Sequence, residues 1–192
     1  CCSTGDMRFT MKEDYSHLKG YESIADYGLG CGLPTEFAKI SPGDTVIDLG
    51  SGAGNDCFVA RAHTGETGQV IGIDFTPEMV EKAKLNASAL GYSNVTFQAG
   101  DIENMPLPDH MADVVISNCV LNLLPSKEKI FHEIFRVLLS LIHISEPTRL
   151  LSISYAVFCL KNKTLTKATT YQLEHTPHQS KHLSKPSTHT PT

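Results

Sequence analysis

Short apolar runs recur through the first 140 residues, each closing on a small or acidic residue. TVIDLG (45–50), VIGID (70–74), VTFQAG (95–100) and VVISN (114–118) are β-branched and nearly continuous in apolar character, the pattern of strands buried on both faces. Between the second and third lies TPEMVEKAKLNASALG (76–91). Thr76 is placed to cap a helix, Pro77 fits its first position and Gly91 can close it. SKEKIFHEIFRVL (126–138) repeats Ile130, Ile134, Phe135, Val137 and Leu138 on roughly one helical face. The alternation predicts an α/β fold with a parallel sheet covered on both sides.

Composition narrows the partners. The chain has 192 residues, 41% hydrophobic and 19% charged, with a formal net charge of −5, so one globular, mildly acidic domain with a sizeable core is expected. That charge argues against nucleic acid or an anionic membrane surface as the main partner. No apolar stretch approaches the roughly 18 residues of a membrane span and no secretory leader opens the chain, so a cytoplasmic monomer is expected. In that reducing setting the six cysteines, Cys1, Cys2, Cys31, Cys57, Cys119 and Cys159, read as free thiols or ligands rather than a disulfide framework. The chain opens on Cys1 rather than methionine, as a fragment would. All fourteen glycines lie at or before Gly100, and the periodic pattern breaks at about residue 139. Residues 161–192 are rich in Thr, Ser, Lys and His, a composition expected to stay disordered.

DLGSGAGND (48–56) follows the first strand and enters a helix. Gly50, Ser51, Gly52 and Gly54 form a turn in which backbone can approach a ligand at a helix N-terminus. Dinucleotide enzymes use such turns too, so the turn alone is weak. Asp48 changes its meaning, because a carboxylate just before the first glycine opposes a pyrophosphate and suits a cationic ligand such as the amino-acid part of S-adenosylmethionine. Asp74, twenty residues after Gly54 and followed by Phe75, can accept from both ribose hydroxyls. Asp101 and Ile102, closing the third strand, can flank an adenine ring, and Asn118 ends the fourth. Polar groups thus collect at the carboxyl edge, where open α/β sheets bind ligands. Taken singly, each of these residues also fits ordinary turn chemistry.

GLGCGLPTEFAKISPGDTVIDLGSGAGNDCFVARA, GIDFTPEMVEKAK and SNCVLNLLPSKEKIFHEIFRVL resemble bacterial arsenite methyltransferases, over about residues 1 to 138. The resemblance implies a Rossmann-like class I methyltransferase fold, doubly wound and mostly parallel, of which strands 1–4 are present. It also implies S-adenosylmethionine as methyl donor. Cys31 and Cys119 would bind trivalent arsenic, with Cys2, or the adjacent Cys1, in the thiol chemistry; glutathione or thioredoxin would supply reducing thiols. Soft thiolates suit a thiophilic centre. Cys57, inside the helix after the glycine turn, reads as packing.

The division implied is a cysteine-bearing segment over 1–40, a truncated methyltransferase domain over 41–138, and a non-family tail over 139–192. LSLIHISEPTRLLSISYAVFCLKNK (139–163) stands where the family has a glycine-rich turn, a fifth strand and a further cysteine. It resembles translated adaptor sequence, although ISYAVFC (153–159) is β-prone and could fill the fifth-strand slot. Otherwise an open apolar edge is expected, and activity should be impaired. Two rivals remain: a methyltransferase for a small organic or quinone-like substrate, with both thiols only packing, and a non-catalytic arsenite- or cofactor-binding fragment.

Overall fold

The computed structural model describes residues 14–30, 32–139, 142–145 and 157–162. Its centre is a parallel set of four strands, β1 (Thr45–Leu49), β2 (Gln69–Asp74), β3 (Val95–Ala99) and β4 (Val114–Asn118). They stand in the order β3-β2-β1-β4, with Ile47 opposite Ile71 on one side and Val115 on the other. Helix α1 (Pro34–Phe37) precedes the sheet, and α2 (Asn55–Thr64), α3 (Pro77–Ala89) and α4 (Lys127–Val137) follow β1, β2 and β4. The four strand readings and the parallel pairing are as the sequence predicts.

Strand parity divides the core in two. Ile47, Leu49, Ile71, Ile73 and Val115 pack with Ile130, Ile134 and Val137 of α4. Val46, Val70, Val114 and Ile116 point the other way, to Phe58 of α2 and Val80 and Ala83 of α3. Each strand is therefore apolar at successive positions because both faces are covered. Asp48 shares the parity of Val46 and lies under α2, which becomes important below.

Helix boundaries follow the punctuation with two differences. Pro77 starts α3 and Gly91 follows its end at φ +70°, but the Thr76 side chain makes no capping bond. The Thr76 N–H instead donates to Asp74 Oδ1 at 2.9 Å, so Asp74 organises the turn. On α4, Phe135 stays 44% exposed while Leu138 just beyond the helix is buried; the face that docks is narrower than the periodicity implied.

Beyond residue 139 the chain adds two strands, which reach residues 161 and 162 of the segment expected to stay disordered and include part of the β-prone 153–159. β5 (Ile142–Ser145) and β6 (Val157–Asn162) are strands, and β6 pairs antiparallel with β4, Asn118 opposite Val157. The full order is β3-β2-β1-β4-β6-β5. The β4 edge, expected open, is thus covered through Asn162, because unpaired N–H and C=O groups beside a buried strand recruit any β-prone segment within reach. The rest of the tail lies outside the described residues. Among the described residues no helix is long and apolar enough to cross a membrane.

Candidate functional site

A cleft of about 310 Å³ opens at the carboxyl edge of β1, β2 and β4, within the size range of small-molecule sites. One wall is the turn from Gly50 to Asp56, joined by Asp74, Thr76 and Met79; the other is the strap of residues 15–30, through Tyr15, Asp26, Tyr27 and Leu29. Asn118, Cys119, Val120 and Leu123 close the floor and rim.

The turn is sterically demanding. Gly50 sits at φ +76°, and a Cβ there would fall 2.1 Å from Val120 Cγ2. Gly52, at φ +52°, faces open space with nothing within 4 Å of an added Cβ. Its amides are already engaged: Gly50 and Ser51 N–H both donate to Ile73 O, Gly54 N–H to Ser51 O, and Gly52 N–H to Asp74 Oδ2 at 2.9 Å. A phosphate would find few amides to accept from, and a carboxylate beside them.

The floor is a buried polar cluster. Asn118, 9% exposed, aims Nδ2 at Tyr15 Oη (2.7 Å), Asp56 Oδ2 (3.0 Å) and Gly32 O (3.0 Å), and the Tyr15 hydroxyl donates to Gly32 O at 2.6 Å. Burial pushes the Asp56 carboxyl up to about 6, against the lowering effect of Asn118 and Tyr15. Burial and then the Asp56 charge push the Tyr15 phenol far upward. Three buried polar atoms of the turn have no protein partner: Ser51 Oγ, Asn55 Oδ1 and Asp56 Oδ1. Buried polar atoms are nearly always satisfied, so these three, with almost no accessible surface, are exceptions in the turn.

Of the residues singled out from sequence, Gly50, Ser51, Gly52, Asp74, Asn118 and Cys119 line this cleft. Asp48, Gly54, Phe75, Asp101 and Ile102 do not. Asp48, 2% exposed, accepts from the Cys57 thiol at 3.3 Å; burial, and then the Asp56 charge, push its carboxyl well above the usual range. Ile102 is in the α4-side core, Phe75 is 81% exposed, and Asp101 Oδ1 accepts from Glu103 N–H. Gly54 backs onto the Phe58 and Phe97 rings. Cys2 and Cys31 lie outside the described residues. Asp56 and Tyr15 were missed. Asp56 ends the quoted DLGSGAGND motif and was there to be asked about; Tyr15 carries no local signal.

Cys119 departs from the strand at φ +62°, a left-handed conformation uncommon for a residue other than glycine. Its Sγ lies 3.3 Å from Asn118 Oδ1. The sulfur is in a disulfide bond, so the six cysteines are not all free. Cys57 is free and buried.

Comparison with known proteins agrees with this geometry. A methyltransferase-domain family model matches residues 40–182. An arsenite methyltransferase of Halobacterium salinarum is 53% identical over 114 residues, covering 59% of this chain and 29% of that protein. One from Aquipseudomonas alcaligenes is 35% identical over 145 residues, 72% of this chain and 41% of its own length. The crystal structure of an arsenic(III) S-adenosylmethionine methyltransferase from Chlamydomonas reinhardtii superposes with a TM-score of 0.52 at 38% identity, covering 64% of this chain and 45% of that one. The chain spans less than half the length of these relatives. With a parallel sheet, a glycine turn at its carboxyl edge and a family match over most of its length, this chain belongs to the methyltransferase-domain family.

Proposed function

We propose that the cleft holds S-adenosylmethionine and that the protein methylates trivalent arsenic bound by thiolates at Cys119 and Cys31. The observation carrying this reading is the cleft's lining: Asp26, Asp56 and Asp74, no Lys, Arg or His among the described lining residues, and Cys119 at the same rim. Anionic walls disfavour phosphates and suit a ligand bearing positive charge and hydroxyl donors. Gly50, Ser51, Gly52, Asp56, Asp74 and Asn118 would hold it. Each Asp74 oxygen spends one lone pair on a backbone N–H and keeps another for a ribose hydroxyl.

When bound, the sulfonium supplies an electrophilic methyl group and keeps the electron pair of the broken bond as a thioether. The chain's own residues then have two tasks. Cys119, once a reducing thiol such as glutathione or thioredoxin has opened its disulfide, becomes a soft thiolate that binds arsenic. The strap and the Val120 and Leu123 rim exclude water and orient the bound arsenic. No proton leaves the arsenic, so no general base is required. The names of the relatives support arsenite as substrate. In this reading residues 1–40 bring cysteines to the methyltransferase domain, whose family match runs over residues 40–182.

The test is arsenite, S-adenosylmethionine and glutathione with product speciation. Methylarsenic products from the wild type and none from Cys119→Ser support the reading; arsenite binding without turnover leaves a binding fragment. The exposed Leu29 and Leu123 at the cleft mouth favour, as second reading, an apolar organic acceptor. Methylation of a quinone-like compound that survives Cys119→Ser would establish that reading instead.

A further inference from the structure

Both ends of the strap meet at one phenol. Tyr15 is 2% exposed although its segment has no helix or strand, and its hydroxyl donates to Gly32 O, 17 positions on, at 2.6 Å. Asn118 Nδ2 donates to the same carbonyl at 3.0 Å and to Tyr15 Oη at 2.7 Å, so both lone pairs of Gly32 O are taken. Gly30 packs on the same groups: a Cβ there would fall 2.9 Å from Tyr15 Oη and 3.1 Å from Asn118 Nδ2. The two neighbours of Cys31 are therefore held by one tyrosine and by the residue that precedes Cys119. Burial, and then the Asp56 charge, keep the phenol protonated, so it stays a donor to Gly32.

We propose that Tyr15 is a positioning residue for the arsenic-binding thiols: by clamping the backbone beside Cys31 to the end of β4, it presents that cysteine to the arsenic atom held by Cys119. The inference rests on the two-thiol reading above. Each thiol that joins arsenite forms one S–As bond, and its proton leaves with the displaced hydroxide as water; the step needs no oxidant. Once Cys119 has captured arsenic the second bond is intramolecular, and its strength follows the effective concentration of the Cys31 thiol. A segment without secondary structure would spread that thiol over many positions and lose entropy on capture. A clamp on both neighbours removes most of that loss before the ligand arrives. Tyr15 itself touches no reacting atom in this scheme.

The test is calorimetric titration of the full chain with arsenite, after a phosphine, which adds no competing thiol, has reduced its disulfide. Wild type, Tyr15→Phe, Cys31→Ser and the double variant are compared. Tyr15→Phe keeps the ring and removes only the hydroxyl, and is expected to weaken arsenite binding by about 5- to 10-fold, the range of one or two lost hydrogen bonds. Cys31→Ser should lose on the order of 100-fold. In that background Tyr15→Phe should change affinity by less than about twofold, because no second thiol remains to be placed. Gly30→Ala, which presses a Cβ against the same phenol, should repeat the pattern with Tyr15 intact. A loss of the same size in both backgrounds would make Tyr15 a structural anchor only and overturn the proposal, as would no loss from Tyr15→Phe. Unchanged binding in Cys31→Ser would remove the two-thiol reading itself, and this inference with it.

Discussion

From Gly50 to Asp56 the cleft wall is backbone, folded by local turn chemistry and tied to β2 through the Gly50, Ser51 and Gly52 amides. The facing strap, residues 14–30, has no helix or strand and is held by side chains from distant parts of the chain. Tyr15 is 2% exposed and meets Asn118; Tyr92 donates to Glu22 at 3.4 Å; Lys82 stacks over the Tyr27 ring at 4.5 Å. The contrast teaches where each wall is vulnerable. The turn fails by steric conflict, because its φ values and close approaches admit few side chains. The strap fails by degrees, since each of its contacts contributes a modest increment that the others can partly replace.

The largest effect should come from the turn. Gly50→Ala places a Cβ in left-handed backbone and against Val120, and is expected to destabilise by about 3–4 kcal/mol in urea unfolding. Gly52→Ala, with open space around it, should cost only about 1 kcal/mol yet intrude on the cleft. Equal losses for the two would mean that backbone strain, not the Val120 contact, governs this wall.

Next in size is the buried charge between the walls. The Asp56 carboxyl is raised to about 6, so between pH 4 and 6 the folded state binds more protons than the unfolded chain. Wild-type stability therefore falls as pH rises through that window. Without ligand, Asp56→Asn should be as stable as wild type near pH 4 and more stable above pH 6, by up to roughly 3 kcal/mol. Thermal melts from pH 4 to 8 will read this difference; a constant offset would mean Asp56 titrates alike in both states.

A smaller change is expected on the strap. Tyr15→Phe keeps the buried ring and removes the hydroxyl that bridges Gly32 O and Asn118, at about 1–1.5 kcal/mol. Limited proteolysis should then cut between residues 14 and 30 sooner while the sheet stays protected. Protection unchanged in both regions would show the hydroxyl is not what holds this wall. Smallest of all, Leu123→Ser at an 80% exposed rim position should shift stability by less than about 0.5 kcal/mol. A larger loss would mean that the rim is structural.

Much of this was legible from residue pattern because its causes are local. The four strands, the glycine turn, the start of α3 at Pro77 and the arrival of Cys119 beside the ligand edge all follow from period, punctuation and the rule that α/β sheets bind at their carboxyl edge. Parity was equally readable: Asp48 alternates with Ile47 and shares the side of Val46, so its turn away from the α4 face was written in β1. What pattern could not supply was depth. Whether a carboxylate at a strand end opens to ligand or is roofed by a helix depends on where α2 lies, and that placed Asp56 in the cleft and Asp48 beneath it.

Nor could pattern reveal partners far apart in the chain. Tyr15 and Asn118 are 103 positions apart, and only the closed fold brings them within 2.7 Å. Pairing of β6 with β4 was legible in part, from the β-prone 153–159, but its antiparallel register came only with the fold. The sequence by itself determined the sheet, the turn and the thiol at the strand end, since each is set by neighbours within a few residues. Tertiary structure decided which acid lines the cleft, which segment roofs it and that Cys119 is in a disulfide, because burial and proximity are properties of the packed whole.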